Sequence, residues 1–155
     1  MLGEYWDFLK NSIKQLGYFK IEFELRSIDM DKENRTALIV DDEETMLDIE
    51  SFILRKIGFS TLKAKNSIEA CSLYKDKKEH IDIVVLDMRM PDENGTDTYK
   101  RLKRMNPDIR VLISTGSEKD RDVDEILNDG QNGFIKKPFK FDEFTSNVNT
   151  ILSMK

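Results

Sequence analysis

The chain has 155 residues, 39% of them hydrophobic and 35% charged, with a net charge of −5. That length allows one domain with a proper core and some extra, and that composition argues for a globular protein over a disordered one. The negative balance disfavours nonspecific nucleic-acid binding, which needs a basic surface, and no stretch is long or apolar enough to span a bilayer. Residues 1–16 are not a signal peptide, because Glu4 and Asp7 precede any apolar core. Cys71 is the single cysteine and cannot close an internal disulfide, so a reducing cytoplasm is the expected location. His80 is the single histidine, which excludes a multi-histidine metal site.

Residues 1–17 read as a helix, with Trp6, Leu9, Ile13 and Leu16 on one stripe and Gly17 as its stop. Residues 18–26 alternate, Phe19, Ile21, Phe23 and Leu25 against Lys20, Glu22, Glu24 and Arg26, which is the period of a half-buried strand. Residues 29–35 are a charge-rich linker. Residues 36–40 then form a short buried strand closed by Asp41 and Asp42. Residues 43–57 predict a helix with Met46, Ile49, Ile53 and Ile57 on its inner face, ended by Gly58. Residues 59–64 are a second strand. Ser67 caps a helix to residue 77, with Ala70, Leu73 and Tyr74 inward.

Residues 81–86 are apolar except for Asp82 and end in Asp87, which reads as a strand buried on both faces. Met88 to Pro91 follow, and Asn94-Gly95 make a turn. A helix over 96–105 ends before Pro107. Residues 109–114 are the fourth strand and 118–129 a helix stopped by Gly130. Residues 132–135 are a short fifth strand, followed by Lys136-Lys137-Pro138. Residues 141–152 are the last helix, with Phe144, Val148, Ile151 and Leu152 inward. Strands alternating with helices imply a parallel sheet in a three-layer, doubly wound α/β domain.

In such a sheet the carboxyl ends of the strands share one edge, where open α/β folds carry their chemistry. Asp41 and Asp42 end the first strand, Asp87 the third, Ser114-Thr115-Gly116 the fourth, and Lys137 follows the fifth. Three carboxylates so placed repel one another, and Mg²⁺, which favours oxygen ligands, relieves the repulsion. Asp42 and Asp87 supply ligands, with Asp41 contributing through water. A metal-bound Asp87 can attack phosphorus and form an acyl phosphate. The charge of that transition state spreads over three equatorial oxygens, which Mg²⁺, the Lys137 ammonium and the Thr115 hydroxyl can cover. Gly116 leaves room for the phosphoryl group, and Pro138 fixes the backbone after Lys137.

Residues 36–154 resemble a response-regulator receiver domain of two-component signalling, the family of the chemotaxis regulators. The resemblance rests on Asp41-Asp42, Asp87-Met88-Arg89-Met90-Pro91, Asn94-Gly95, Thr115-Gly116 and Lys137-Pro138-Phe139, each at the end of the right strand. It implies a flavodoxin-like, five-stranded parallel sheet of order 2-1-3-4-5 with helices on both faces. It also implies a role for each matched position. Asp87 is the phosphoacceptor, Asp41 and Asp42 hold Mg²⁺, and the backbone carbonyl of Arg89 completes the protein ligands. Thr115 and Lys137 bind the phosphoryl oxygens, and Phe134 stands at the switch-aromatic position. Arg89 and Ser117 occupy positions that in this family tune how fast the phosphoryl group is hydrolysed.

Each of these residues also has a plainer reading. Alone, Asp41 and Asp42 would cap a helix, Thr115 would cap the helix at Glu118, Lys137 would be a solvated lysine and Phe134 would be core. His80 reads as a surface residue, Cys71 as partly buried packing, and Lys100, Arg101, Lys103 and Arg104 as a solvated helix face. Residues 1–35 are an N-terminal extension to a receiver domain at 36–155. A lone helix and strand must cover something to be stable. They dock on the receiver, pair two chains into a homodimer, belong to the tail of an upstream domain, or are a loose segment left by a start codon chosen too early.

The expected function is Mg²⁺-dependent phosphoryl transfer to Asp87 from a sensor histidine kinase or a histidine phosphotransfer protein, which switches a protein-interaction surface. Apart from its own phosphorylation and dephosphorylation the chain is not expected to be an enzyme. No DNA-binding domain follows Lys155, so the output is expected to be contact with another protein. A phosphatase working through an aspartyl-phosphate is the rival, but those enzymes carry an acid two residues past the nucleophile, where this chain has Arg89. A receiver-fold binding module without phosphorylation is the other rival, and the complete set of five motifs argues against it.

Overall fold

The structure is a computed structural model that describes residues 35–91 and 93–154. The helix and strand expected over residues 1–26, and the linker up to residue 34, lie outside the described residues. Among the described residues five strands and five helices alternate: β1 Arg35–Val40, α1 Glu44–Lys56, β2 Phe59–Ala64, α2 Ser67–Lys77, β3 Ile81–Leu86, α3 Gly95–Met105, β4 Val111–Thr115, α4 Arg121–Asn128, β5 Asn132–Lys136 and α5 Phe141–Ser153. The strands pair in parallel in the order β2-β1-β3-β4-β5, as expected.

The period of two along each strand sorts the side chains between two helical layers. Leu38, Val40, Val84, Leu86, Val111 and Ile113 form one core with Ala70 and Tyr74 of α2, Tyr99 and Leu102 of α3, and Val123 and Ile126 of α4. The intervening residues, Ala37, Ile39, Ile83, Val85, Leu112 and Ser114, are equally buried and turn to the opposite face. There α1 and α5 cover them. Ser114 hydrogen-bonds Glu50 of α1. A Cβ on Gly133 of β5 would lie 2.7 Å from Ile151 Cδ1 of α5. Two covered faces explain why these strands read as solid apolar runs rather than alternating ones.

Local details differ from the sequence expectation in ways that matter for the site. The buried face of α1 is Leu47, Glu50, Ser51, Ile53 and Leu54, while Met46, Ile49 and Ile57 are only half-buried. The observed face is rotated from the apolar stripe that the sequence predicts, because Glu50 and Ser51 take places on the inner side. The cap of α2 is Asn66, which accepts from Glu69 N; Ser67 is the first helical residue, and its buried hydroxyl has no hydrogen-bond partner. β4 begins at Val111 and takes in Thr115. α4 begins at Arg121, not 118, because Asp120 accepts from Val123 N at 3.0 Å and supplies the stronger cap.

Asn94-Gly95 is a helix start rather than a free turn. Asn94 Oδ1 accepts from Thr96 N at 3.1 Å, and Gly95 opens α3. A Cβ on Gly95 would lie 2.6 Å from Met88 Cα and 2.7 Å from Asp87 O, both rigid backbone. Gly95→Ala therefore has to push α3 away from the end of β3. The expected loss is about 1–3 kcal/mol of stability in urea unfolding, as for an overpacked core.

Candidate functional site

The strand ends are held in register by hydrogen bonds that continue past the sheet. Asp87 N donates to Val40 O at 2.9 Å, Asp41 N to Ala64 O at 3.1 Å, and Lys137 N to Thr115 O at 2.8 Å. Asp41 and Asp87 thus leave adjacent strands side by side. One carboxylate oxygen from each of Asp41, Asp42 and Asp87 lies within 4.8 Å of the others. Asp41 and Asp87 are buried and Asp42 is exposed.

Lys137 completes the corner. Its ammonium donates to Asp41 Oδ2 and stands 3.8 Å from Asp87 Oδ2, with only 13% of its side chain exposed. The solvated lysine that a lone Lys137 would suggest is therefore not what folds. Burial pulls the Lys137 ammonium down. Its bond to Asp41 and the charges of Glu50, Asp87 and Asp41 outweigh that, and its pKa rises above the ordinary lysine value. Asp87 is pushed above the usual carboxylate range, chiefly by burial. Lys137 and the 3.2 Å bond from Arg89 N oppose the rise, and Asp41 and Asp42 add to it. Asp41 Oδ1 also accepts from Glu43 N at 2.8 Å, at the entry to α1. The capping reading of Asp41 is thus half right: one oxygen serves the helix start and the other faces the corner.

These donors suit Mg²⁺: hard oxygens, few of them, two in a desolvated setting that a single lysine only partly neutralises. Thr115 is buried, ends β4 beside Lys136, and accepts weakly from Ser117 N at 3.4 Å. It caps no helix, since Asp120 does that for α4. Gly116 is exposed, and a Cβ there would meet no heavy atom within 4 Å, so that side of the corner is open. The Lys137-Pro138 peptide is cis. A cleft of about 560 Å³ opens beside Thr115, with Arg89, Met90, Thr96, Ser117 and Glu118 among its walls. Arg89 is exposed on the cleft rim, where its strand-like bridge to Asn94 holds the loop after Asp87. Phe134 is half-buried at the margin of the core, with the Lys119 ammonium 5.0 Å from its ring centre.

Sequence reasoning missed Glu50. It is 1% exposed on α1, and Ser114 Oγ donates to its Oε1 at 2.5 Å. The signal was present: Leu47, Glu50 and Leu54 lie at i, i+3 and i+7. The remaining candidates lie away from the corner. His80 is exposed in a short 3-10 turn before β3, and Cys71 is half-buried in α2. On α3, Lys100 and Arg104 are exposed, Arg101 pairs with Glu93, and Lys103 donates to Asp129 O at 2.8 Å.

A family model for the response regulator receiver domain matches residues 37–149. The chain belongs to the response regulator receiver family. The response regulator SaeR of Staphylococcus aureus is 34% identical over 116 residues, which is 75% of this chain and 50% of that protein. The autoinducer 1 sensor kinase/phosphatase LuxN of Vibrio campbellii is 29% identical over 112 residues, 72% of this chain and 13% of LuxN. This chain therefore spans half or less of the length of these relatives. Among solved structures, the CheX-CheY-BeF3-Mg²⁺ complex from Borrelia burgdorferi superposes with a TM-score of 0.74 at 27% identity. The match covers 84% of this chain and 98% of that one. The CheY-like receiver domain of Methanospirillum hungatei superposes with a TM-score of 0.68 at 25% identity, over 77% of this chain and 94% of that one. Receiver domains are signalling phosphoacceptors of two-component systems, work with sensor kinases, and generally bind Mg²⁺ at an acidic pocket such as the one formed here. Among the described residues no helix of this receiver is long and apolar enough to cross a membrane.

Proposed function

We propose that this receiver takes a phosphoryl group on Asp87 from the phosphohistidine of a sensor kinase or phosphotransfer protein in the cytoplasm, and that a downstream protein reads the result. The observation that carries this is the corner itself: three carboxylates within 4.8 Å, two of them buried, with a lysine 3.8 Å from the one at the end of β3. An Asp87 oxygen bonds to phosphorus as the phosphorus–nitrogen bond breaks. The departing imidazole nitrogen keeps that electron pair and takes up a proton. Asp41, Asp42, Asp87 and the Arg89 carbonyl would hold Mg²⁺, which supplies positive charge for the phosphoryl oxygens when bound. Lys137 and Thr115 hold the other oxygens.

Lys137 is engaged by Asp41 in the resting corner and has to be shared with the incoming phosphoryl group. Thr115 drawn toward that group vacates space beside β5. Phe134 turns into it, and the surface of α4, β5 and α5 changes shape. The receiver domain read at 36–155 takes in Arg35 as well, the first residue of β1, and the residues before it are an extension. The test is labelling of the full chain by phosphoramidate, a small phosphorus–nitrogen donor. Label is expected only with Mg²⁺, lost on chelation, and released by hydroxylamine as an acyl phosphate must be. Label that resists hydroxylamine, or that forms equally well in chelator, would overturn the reading.

A further inference from the structure

Glu50 has no part in the mechanism just given, yet the fold goes to some expense to bury it. Leu47, Ile53 and Leu54 surround it on the inner face of α1, where an apolar side chain would pack at no electrostatic cost. Its bond from Ser114 ties α1 to the penultimate residue of β4. The next rung of the sheet pairs Thr115 with Lys136, and Lys137 N donates to Thr115 O at 2.8 Å. Ser114 turns to the α1 side of the sheet, as Ile135 does two residues before Lys137. The carboxyl is therefore bonded one rung below the Thr115–Lys136 pair, and Lys137 is among the charges that act on it.

We propose that Glu50 is a positioning residue for phosphoryl transfer: its carboxyl, tied to Ser114 one rung below the Thr115–Lys136 pair, sets how firmly the Lys137 ammonium is held back from an incoming phosphoryl group. The inference rests on the phosphoacceptor reading of Asp87. Neutral Glu50 leaves Lys137 to Asp41, Asp87 and the phosphoryl oxygens. Ionised Glu50 adds a negative charge below Lys137 and competes for it. The charged groups that bear on Glu50 are Lys137 after β5, Asp41 after β1 and Asp87 after β3. Burial pushes the Glu50 carboxyl up to about 8. The bond from Ser114 and the charge of Lys137 restrain that rise, and Asp41 and Asp87 reinforce it.

The rate of Mg²⁺-dependent labelling by phosphoramidate is measured from pH 6 to 9.5 in the full-length wild type and in Glu50→Gln, which keeps the shape and cannot ionise. The donor itself loses the proton its leaving ammonia needs within this range, so the readout is the wild-type rate divided by the Glu50→Gln rate at the same pH, which is expected to fall by about tenfold. A ratio that stays level across the range would overturn the proposal. A second measurement needs no phosphorylation. In the unphosphorylated wild type the Lys137 ammonium resonance, assigned by its loss in Lys137→Met, shifts with a midpoint near pH 8 and does not shift there in Glu50→Gln. A Lys137 resonance indifferent to Glu50 sinks the inference whatever the labelling shows. No labelling of any variant, with the resonance coupling intact, strikes at the phosphoacceptor reading instead.

Discussion

Asp87→Asn abolishes labelling: the Mg²⁺-dependent rate with phosphoramidate falls on the order of 10³-fold or more, because a carboxamide oxygen is no nucleophile toward phosphorus. The loss is not one of folding. Burial already holds the Asp87 carboxyl above the ordinary range, so the fold favours a neutral group at this place. A group of that kind contributes stability that is present at low pH and declines as pH rises through the carboxylate range. Asparagine removes that decline and the repulsion from Asp41 and Asp42. The variant should therefore melt no lower than the wild type at neutral pH, and Lys137 keeps its bond to Asp41. Calorimetry and labelling together separate a lost nucleophile from a lost fold. Labelling at the wild-type rate would move the phosphoacceptor elsewhere.

Glu50→Gln raises stability at neutral and mildly alkaline pH. An unfolded glutamate ionises near 4.5, whereas in the fold burial delays ionisation to about 8. Between those values the native state binds more protons than the unfolded state, so the wild type loses up to about 1.4 kcal/mol for each pH unit of increase. Above about 8 both states are ionised and the decline stops. Glutamine carries none of this dependence and can still accept from Ser114 through its carbonyl oxygen. The gap between the two proteins should open from pH 5 upward and reach on the order of 4 kcal/mol by pH 8, or ~15 °C in Tm for a domain of this size. Parallel Tm curves across that range would show that the Glu50 carboxyl ionises as freely in the fold as out of it.

Some of this was legible along the chain because it depends on local pattern. The solid apolar run before Asp87 could only be a strand covered on both sides, and the structure covers it with two helical layers. The alternation of such runs with helices led to a doubly wound parallel sheet, and the resemblance to receiver domains to its strand order, both of which the structure has. Strand ends bearing Asp41, Asp42, Asp87, Thr115 and Lys137 then had to share one edge. What local pattern misjudged were competitions between neighbours: Asn66 against Ser67 as a cap, Asp120 against an earlier start for α4, and Leu47 against Met46 for the inner face of α1. Each was decided by which residue the rest of the fold left room for.

By itself, then, the sequence determined the layered α/β architecture and the set of polar residues at its functional edge, because strand period and strand order leave those groups no other place. Only the tertiary structure decided their electrostatic relations. It set Lys137 between Asp41 and Asp87, brought α3 down on Asp87 at Gly95, and joined Glu50 to Ser114, 64 residues away along the chain. The physical reason is that a side chain's protonation and reach depend on what excludes water around it, and that is settled only when separate elements pack against one another.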